Sequence, residues 1–259
     1  MAFDQYDPIF YDLVTPRSVD GDMEWYRGLS QQQGSPILEL GAGTGRIVIP
    51  LAEQGFEVHA IEQDPRMYTA LEDHISRLEE AVRRRIKPIT ADMRSFELED
   101  RFRLIQIPYR AFLHNLARED QLACLLCCRR HLQAEGILSF NVFHPSLEYM
   151  SRNHGAHRGV WRINSESDHP EGGVVVYSEA NLYDTASQRV SSRHRYEHFN
   201  ESGRLVDVFY QRLELAYLYP GDLRDLLHRA GFSDVEIYGG FDRRPFSTDG
   251  EELVVVARP

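Results

Sequence analysis

Three glycines within five residues, Gly41, Gly43 and Gly45, lie in the run Glu39-Leu40-Gly41-Ala42-Gly43-Thr44-Gly45-Arg46. An apolar pair, Ile37 and Leu38, precedes the run, and an apolar-periodic segment, Ile47, Val48, Leu51 and Ala52, follows it. That order reads strand, tight turn, helix. Glycine lets the backbone turn sharply and approach a ligand that a Cβ would hold off. The first N–H groups of the next helix then face whatever is bound. Glu62 closes a second apolar run, Phe56-Glu57-Val58-His59-Ala60-Ile61. A carboxylate about twenty residues beyond such a turn can accept hydrogen bonds from ribose hydroxyls. The chemistry these residues suit is the binding of an adenosine-containing cofactor.

Details of the same loop choose among such cofactors. A dinucleotide fingerprint places a third glycine three positions after the second, where this chain has Arg46. Glu39, two residues before the first glycine, would repel a pyrophosphate and accept an ammonium group. A nucleoside with a zwitterionic amino-acid tail fits better, which means S-adenosylmethionine. The run Glu39 to Arg46, with Glu62 and the later pair Asp92-Met93, resembles the class I S-adenosylmethionine-dependent methyltransferases, a resemblance that covers most of the chain. It is nearest the small-molecule type that includes sugar N,N-dimethyltransferases.

The resemblance implies roles for individual residues. Glu39 lies by the methionine amino group, with Gly41, Ala42, Gly43, Gly45 and Arg46 around the tail. Glu62 takes the ribose and Gln63 lies beside the adenine. Asp92 meets the adenine amino group while Met93 packs on the ring, although an aspartate there also suits a local turn cap. The leader Tyr6-Asp7-Pro8-Ile9-Phe10-Tyr11-Asp12 resembles one whose helix covers the cofactor. Tyr11 is the first choice to approach the methionine end, with Tyr6 the alternative on the acceptor side; aromatic packing alone is the plainer reading. Ile107 and Pro108 end a strand on the cofactor side, and Tyr109-Arg110-Ala111-Phe112-Leu113-His114 follows. His114 matches the histidine in the Phe-Ser-Ser-x-x-His stretch of the sugar enzymes. Its unperturbed pKa suits a general base near neutrality, and a structural role at a helix start is the rival. Tyr109-Arg110 departs from the small polar residues common there, so Arg110 either binds an acidic or carbonyl-bearing acceptor or forms an ion pair. His144, after the fifth strand, lines the acceptor side.

The elements that must position these groups follow from the pattern. Asp64-Pro65 caps a helix running to about Arg84. Strands are expected at Ile86–Thr90, Phe102–Ile107 and Ile137–Phe143, with a cysteine-bearing helix before the last of these. This alternation specifies α/β architecture, a Rossmann-like doubly wound sheet. From 148 to 218 the period changes. Strand-like runs Val174–Leu182, Val190–Phe199 and Leu205–Leu218 are separated by turn residues, an antiparallel β meander inserted into the core. A helix from Pro220 to Ala230, capped by Gly231, leads to two closing strands, Val235–Tyr238 and Leu253–Ala257. The domain expectation is a core of 1–147 and 219–259, completing a seven-stranded sheet by resemblance. The insertion, rich in Tyr177, Tyr183, Tyr196, Phe199, Phe209 and Tyr210, is either an acceptor-pocket roof or a homodimer sheet.

Composition sets the outer limits. The chain has 259 residues and a formal net charge of -11, so a phosphate backbone is a poor partner and nucleic acid is not expected. No apolar run is long enough to span a bilayer and no signal-peptide core is present, so a cytoplasmic protein without membrane contact is expected. Cys124, Cys127, Cys128 and His131 invite a metal reading. The segment is helical by period, no second ligand pair exists, and small core residues are the simpler expectation, with no metal. The rival functions are an NAD(P)-dependent oxidoreductase and a protein that binds S-adenosylmethionine without turnover.

Overall fold

Strand β1 (Ile37–Leu40) is four residues long and every one is buried, the signature of a strand covered on both faces. It pairs in parallel with β2 (Val58–Glu62) on one side and with β4 (Phe102–Ile107) on the other. Strands β3 (Ile86–Thr90) and β5 (Leu132–Phe143) extend the parallel set, and β10 (Asp234–Tyr238) and β11 (Glu252–Arg258) close it antiparallel. The order is β10-β11-β5-β4-β1-β2-β3, seven strands in all. Chain order reverses between β4 and β1, the place where open α/β sheets carry ligands beyond their carboxyl ends. The computed structural model describes residues 6–14, 19–144, 147–152, 159–247 and 252–259.

Two compact units divide the chain: Asp20–Pro145 with Tyr217–Pro259, and Met1–Val19 with Ser146–Ala216. In the first, helix α2 (Asp22–Gln33) lies on one sheet face, where Trp25, Tyr26 and Leu29 join Ile37, Val58, Leu104, Ile137, Val254 and Val256 in the core. Residues two apart share a face. Further along that face, toward the carboxyl ends of the parallel strands, the same columns carry Glu62, Glu39, Gln106, Ser139, Asn141 and Glu252. The face is therefore apolar at its base and polar at its rim. In the second unit, β6 (Arg162–Asp168), β7 (Val174–Asp184), β8 (Arg189–Phe199) and β9 (Leu205–Ala216) form an antiparallel sheet. Phe10 of helix α1 (Pro8–Val14) stacks on Tyr196 and Phe209 there, at centroid distances of 5.0 and 5.4 Å.

Several elements differ from the sequence expectation. The helix begun at Pro65 stops at Ser76, where tightened bonds from Arg77 and Leu78 to His74 and Ile75 end it; a short helix, Glu80–Arg83, follows. The cap itself is as expected, with Asp64 accepting from the Arg66 and Met67 N–H groups. Helix α2, strand β6 and the helix Leu147–Arg152 carry no strong period and were not anticipated. β5 begins at Leu132 instead of Ile137, with an irregular register opposite Phe102 and Leu104. Residues 132–136 are thus part of the strand.

Candidate active site

The glycine loop closes on the protein itself. Gly41 and Ala42 N–H both donate to Ile61 carbonyl oxygen at 2.9 Å, Gly45 N–H to Ala42 at 3.0 Å, and Gly43 N–H to Glu62 Oε2 at 2.8 Å. All three glycines have positive φ, a conformation costly for other residues. A Cβ on Gly41 would stand 2.7 Å from that of Ala111, and one on Gly45 would stand 2.7 Å from Leu71 Cδ1. Only glycine satisfies both the twist and the contact. A diphosphate seeks several backbone N–H groups at once, and four of this loop's are already committed. The helix that follows, Val48–Glu53, is a short one.

Glu62 is the hub of this side. Its Oε1 accepts from Gln63 and Asp64 N–H, both at 2.8 Å, while Oε2 holds Gly43. Burial raises its pKa against these bonds, which pull it down. Each carboxylate oxygen has more than one acceptor direction, so a fixed carboxylate can still receive ribose hydroxyls. Glu39 is buried at 2% exposure and receives Gln106 Nε2 at 2.6 Å from the neighbouring strand. Desolvation pushes its pKa up to about 8, opposed by the Gln106 bond and Arg46. Gln106 Oε1 is buried and receives no hydrogen bond. A cationic donor is what this pair lacks: it would ionise Glu39 and satisfy that oxygen. The residues present therefore fit an ammonium-bearing nucleoside better than a diphosphate.

Beyond β3, Asp92 accepts from Arg94 N–H and from its Nε at 2.9 Å, and Arg94 reaches on to Asp120 at 3.1 Å. The Arg94 bonds hold the Asp92 pKa low. Met93 Sδ receives Asn115 Nδ2 at 3.3 Å, and its Cε would lie 3.7 Å from a Cβ on Gly41. Met93 thus borders the glycine loop, while the Asp92 charge is matched by Arg94. Gln63 is exposed beside Glu62.

Past β4, Ile107 and Pro108 are buried, and the chain then does something unusual: Tyr109 and Arg110 both have positive φ, 53° and 64°. Arg110 pairs with Glu252 Oε1 through Nε at 2.6 Å and through Nη2. Its guanidinium also lies over the Phe143 ring. Arg46 sits over Tyr109 at 5.4 Å and forms a fork with Asp22. The short helical turn Ala111–His114 follows. His114 is open to solvent, yet surrounding protein desolvates the ring and pushes its pKa down to about 4. The chemical consequence is a neutral imidazole at pH 7. His144 meets Phe246 and Tyr219 edge-on, at 4.9 and 6.1 Å. Its neighbour Pro145 lies outside the described residues. Tyr6 and Tyr11 belong to the other unit, where their rings meet edge to face at 5.7 Å.

Sequence reasoning overlooked Asp22, Tyr26, Gln106, Asn141 and Glu252. The cysteines are core: all three are free and buried in the helix Arg118–His131, and His131 bonds the Leu98 N–H and the Cys127 carbonyl. Among the described residues no group of three or more His, Cys, Asp or Glu is placed to hold a metal.

Residues 37–136 match the family of methyltransferase domains, the span from β1 into β5. A cypemycin N-terminal methyltransferase from Streptomyces sp is 23% identical over 248 residues, covering 95% of this chain and 93% of that protein. The CcbJ methyltransferase of Streptomyces caelestis superposes with a TM-score of 0.76 at 24% identity, over 98% of this chain and 99% of that one. CalS10, an amino pentose methyltransferase of Micromonospora echinaspora solved with S-adenosylmethionine bound, gives 0.72 at 17%, covering all of both chains (100% each). The fold is that of the S-adenosylmethionine-dependent methyltransferases. The chain carries a methyltransferase domain and is an enzyme of that class, with S-adenosylmethionine as its methyl donor.

Proposed function

We propose that this enzyme methylates the nitrogen of a small-molecule amine, with Glu39 and Gln106 holding the donor's ammonium group and Glu62 its ribose. The observation that carries the donor half is the buried Glu39–Gln106 pair beside a loop with four amides already bonded. The nitrogen acceptor is supported by the neutral state of His114 and by the names of two similar proteins, the cypemycin N-terminal methyltransferase and the amino pentose methyltransferase.

When bound, the donor supplies an electrophilic methyl on a sulfonium, which departs as a neutral thioether. The protein's contribution is alignment in a dry site. Met93, packed against the glycine loop, borders the adenine. A neutral His114 accepts a hydrogen bond from the acceptor N–H and so aims the nitrogen lone pair. A ring with so low a pKa orients better than it stores a proton, which suits an amine that reacts in its free-base form. Tyr109 and His144 complete the site on this reading. A cytoplasmic protein that does not bind nucleic acid accords with the -11 charge and the free cysteines. Among the described residues no helix is long and apolar enough to cross a membrane.

The test is incubation with labelled S-adenosylmethionine and a panel of amino sugars, amino acids, peptides with free N-termini and phenols, read by mass spectrometry. Methylated amines are expected. Methylation of phenols alone would overturn the nitrogen assignment, and absence of any transfer despite tight donor binding would favour a non-catalytic binder.

A further inference from the structure

The two consecutive residues of positive φ after β4 are a tyrosine and an arginine. Side chains other than glycine rarely occupy this region, and such strain persists only where surrounding structure over-determines it. Here the surroundings form a closed circuit. Tyr26 of α2 donates to Asn141 Oδ1 at 3.1 Å, Asn141 Nδ2 to Glu252 Oε2 at 3.2 Å, and Glu252 Oε1 holds Arg110. From the other side Asp22, also on α2, holds Arg46 in a two-pronged pair, and Arg46 covers the Tyr109 ring. Asp22 is 1% exposed and Glu252 9%. The carboxylate of each grip is therefore shielded from water, and a buried carboxylate is costly to leave without its partner. Downstream of the gripped turn comes Ala111, whose Cβ fills the space a side chain on Gly41 would need.

We infer that Glu252 is a positioning residue: through Arg110 it locks the strained Tyr109-Arg110 turn, and so sets Ala111 against Gly41 at the amino-acid end of the donor site. These hydrogen bonds of the circuit end on α2, β5 and β11 and not on Glu62. The inference rests on the donor reading above and names a residue that reading does not contain.

Its signature is a split between two probes. S-adenosylhomocysteine has the amino-acid tail; 5′-methylthioadenosine lacks it. By calorimetry on the full-length protein, Glu252→Gln should weaken the first about tenfold and leave the second within about twofold. Arg110→Gly with Glu252→Gln should do no more than Arg110→Gly alone, since both break one linkage. Tyr109→Gly tests the strain independently: with glycine free to adopt this φ, melting temperature should hold or rise while S-adenosylhomocysteine affinity falls. Equal weakening of both probes by Glu252→Gln, additive effects in the double variant, or unchanged tail-dependent affinity would overturn the inference. Wild-type protein that failed to bind S-adenosylhomocysteine would instead overturn the donor reading, and this inference with it.

Discussion

The two edges of the crevice between β1 and β4 are built on different principles. On the β1–β2 side, one carboxylate, Glu62, takes three backbone N–H groups from residues within about twenty positions, and the amides of Gly41, Ala42 and Gly45 return to Ile61 and Ala42. On the β4–β5–β11 side, backbone strain is held by side chains from α2 and β11, up to 142 residues apart in sequence. Short-range closure gives a rigid cradle that depends little on the remainder of the chain. Long-range closure makes the second edge depend on strand register and on buried charge. Substitutions on the first edge should therefore act on donor binding as a whole, and those on the second edge on its tail and on the acceptor.

The largest effect is expected at Gly41. Gly41→Val combines a φ of 72° with a Cβ 2.7 Å from Ala111. The backbone penalty of about 1–2 kcal/mol adds to an overpacking cost of about 1–3 kcal/mol. Donor affinity by calorimetry should fall more than about 100-fold, and Ala111→Gly should restore part of it. Next comes Glu62→Ala, which removes the hub of the first edge along with the proposed ribose contact; a loss of about 1.5–3 kcal/mol is expected. Both probes should suffer, in contrast with the split expected on the second edge.

Glu39→Gln should have a smaller effect on affinity and a distinct pH signature. Burial raises the Glu39 pKa to about 8 from its ordinary 4.5. The folded protein thus binds a proton that the unfolded chain releases between these values. Unliganded stability should accordingly fall as pH rises from about 4.5 through about 8, and Glu39→Gln should flatten that slope in thermal melts. Donor binding near neutrality should release a proton in the wild type, read from calorimetry in buffers of different ionisation enthalpy, and release none in the variant. Smallest in binding is His114→Asn, which should leave donor affinity unchanged while lowering kcat about tenfold. With a ring pKa near 4, the wild-type rate should show no inflection at the ordinary histidine value of about 6.5. An inflection there would restore the general-base role.

The unequal legibility of the two edges in sequence has the same physical origin. Glycine spacing, the apolar run ending in Glu62 and the cap at Asp64 are local signals, and each appears in the structure where expected. Asn141 and Glu252 meet because β11 runs antiparallel to β5 in a register placing Glu252 opposite Phe143. A slip of one residue would turn Glu252 to the other face. Gln106 is silent for a related reason: inside a buried strand its role depends on Glu39 lying directly across. Helix α2 escaped notice because its run Ser30-Gln31-Gln32-Gln33 is polar and its working residues, Asp22 and Tyr26, look like surface choices. In the second unit the strand-like runs between turn residues marked three strands of the meander, while β6, with the pattern Arg-Ile-Asn-Ser-Glu-Ser-Asp, offers no apolar alternation to read.

Titration of the wild-type protein with S-adenosylhomocysteine and with NAD+, each followed by calorimetry near neutral pH, tests the account at its centre. Saturable binding of S-adenosylhomocysteine with proton release, and no heat from the dinucleotide, is the predicted result. Tight binding of NAD+ would show that the loop accepts a diphosphate after all, and would contradict the role given to Glu39.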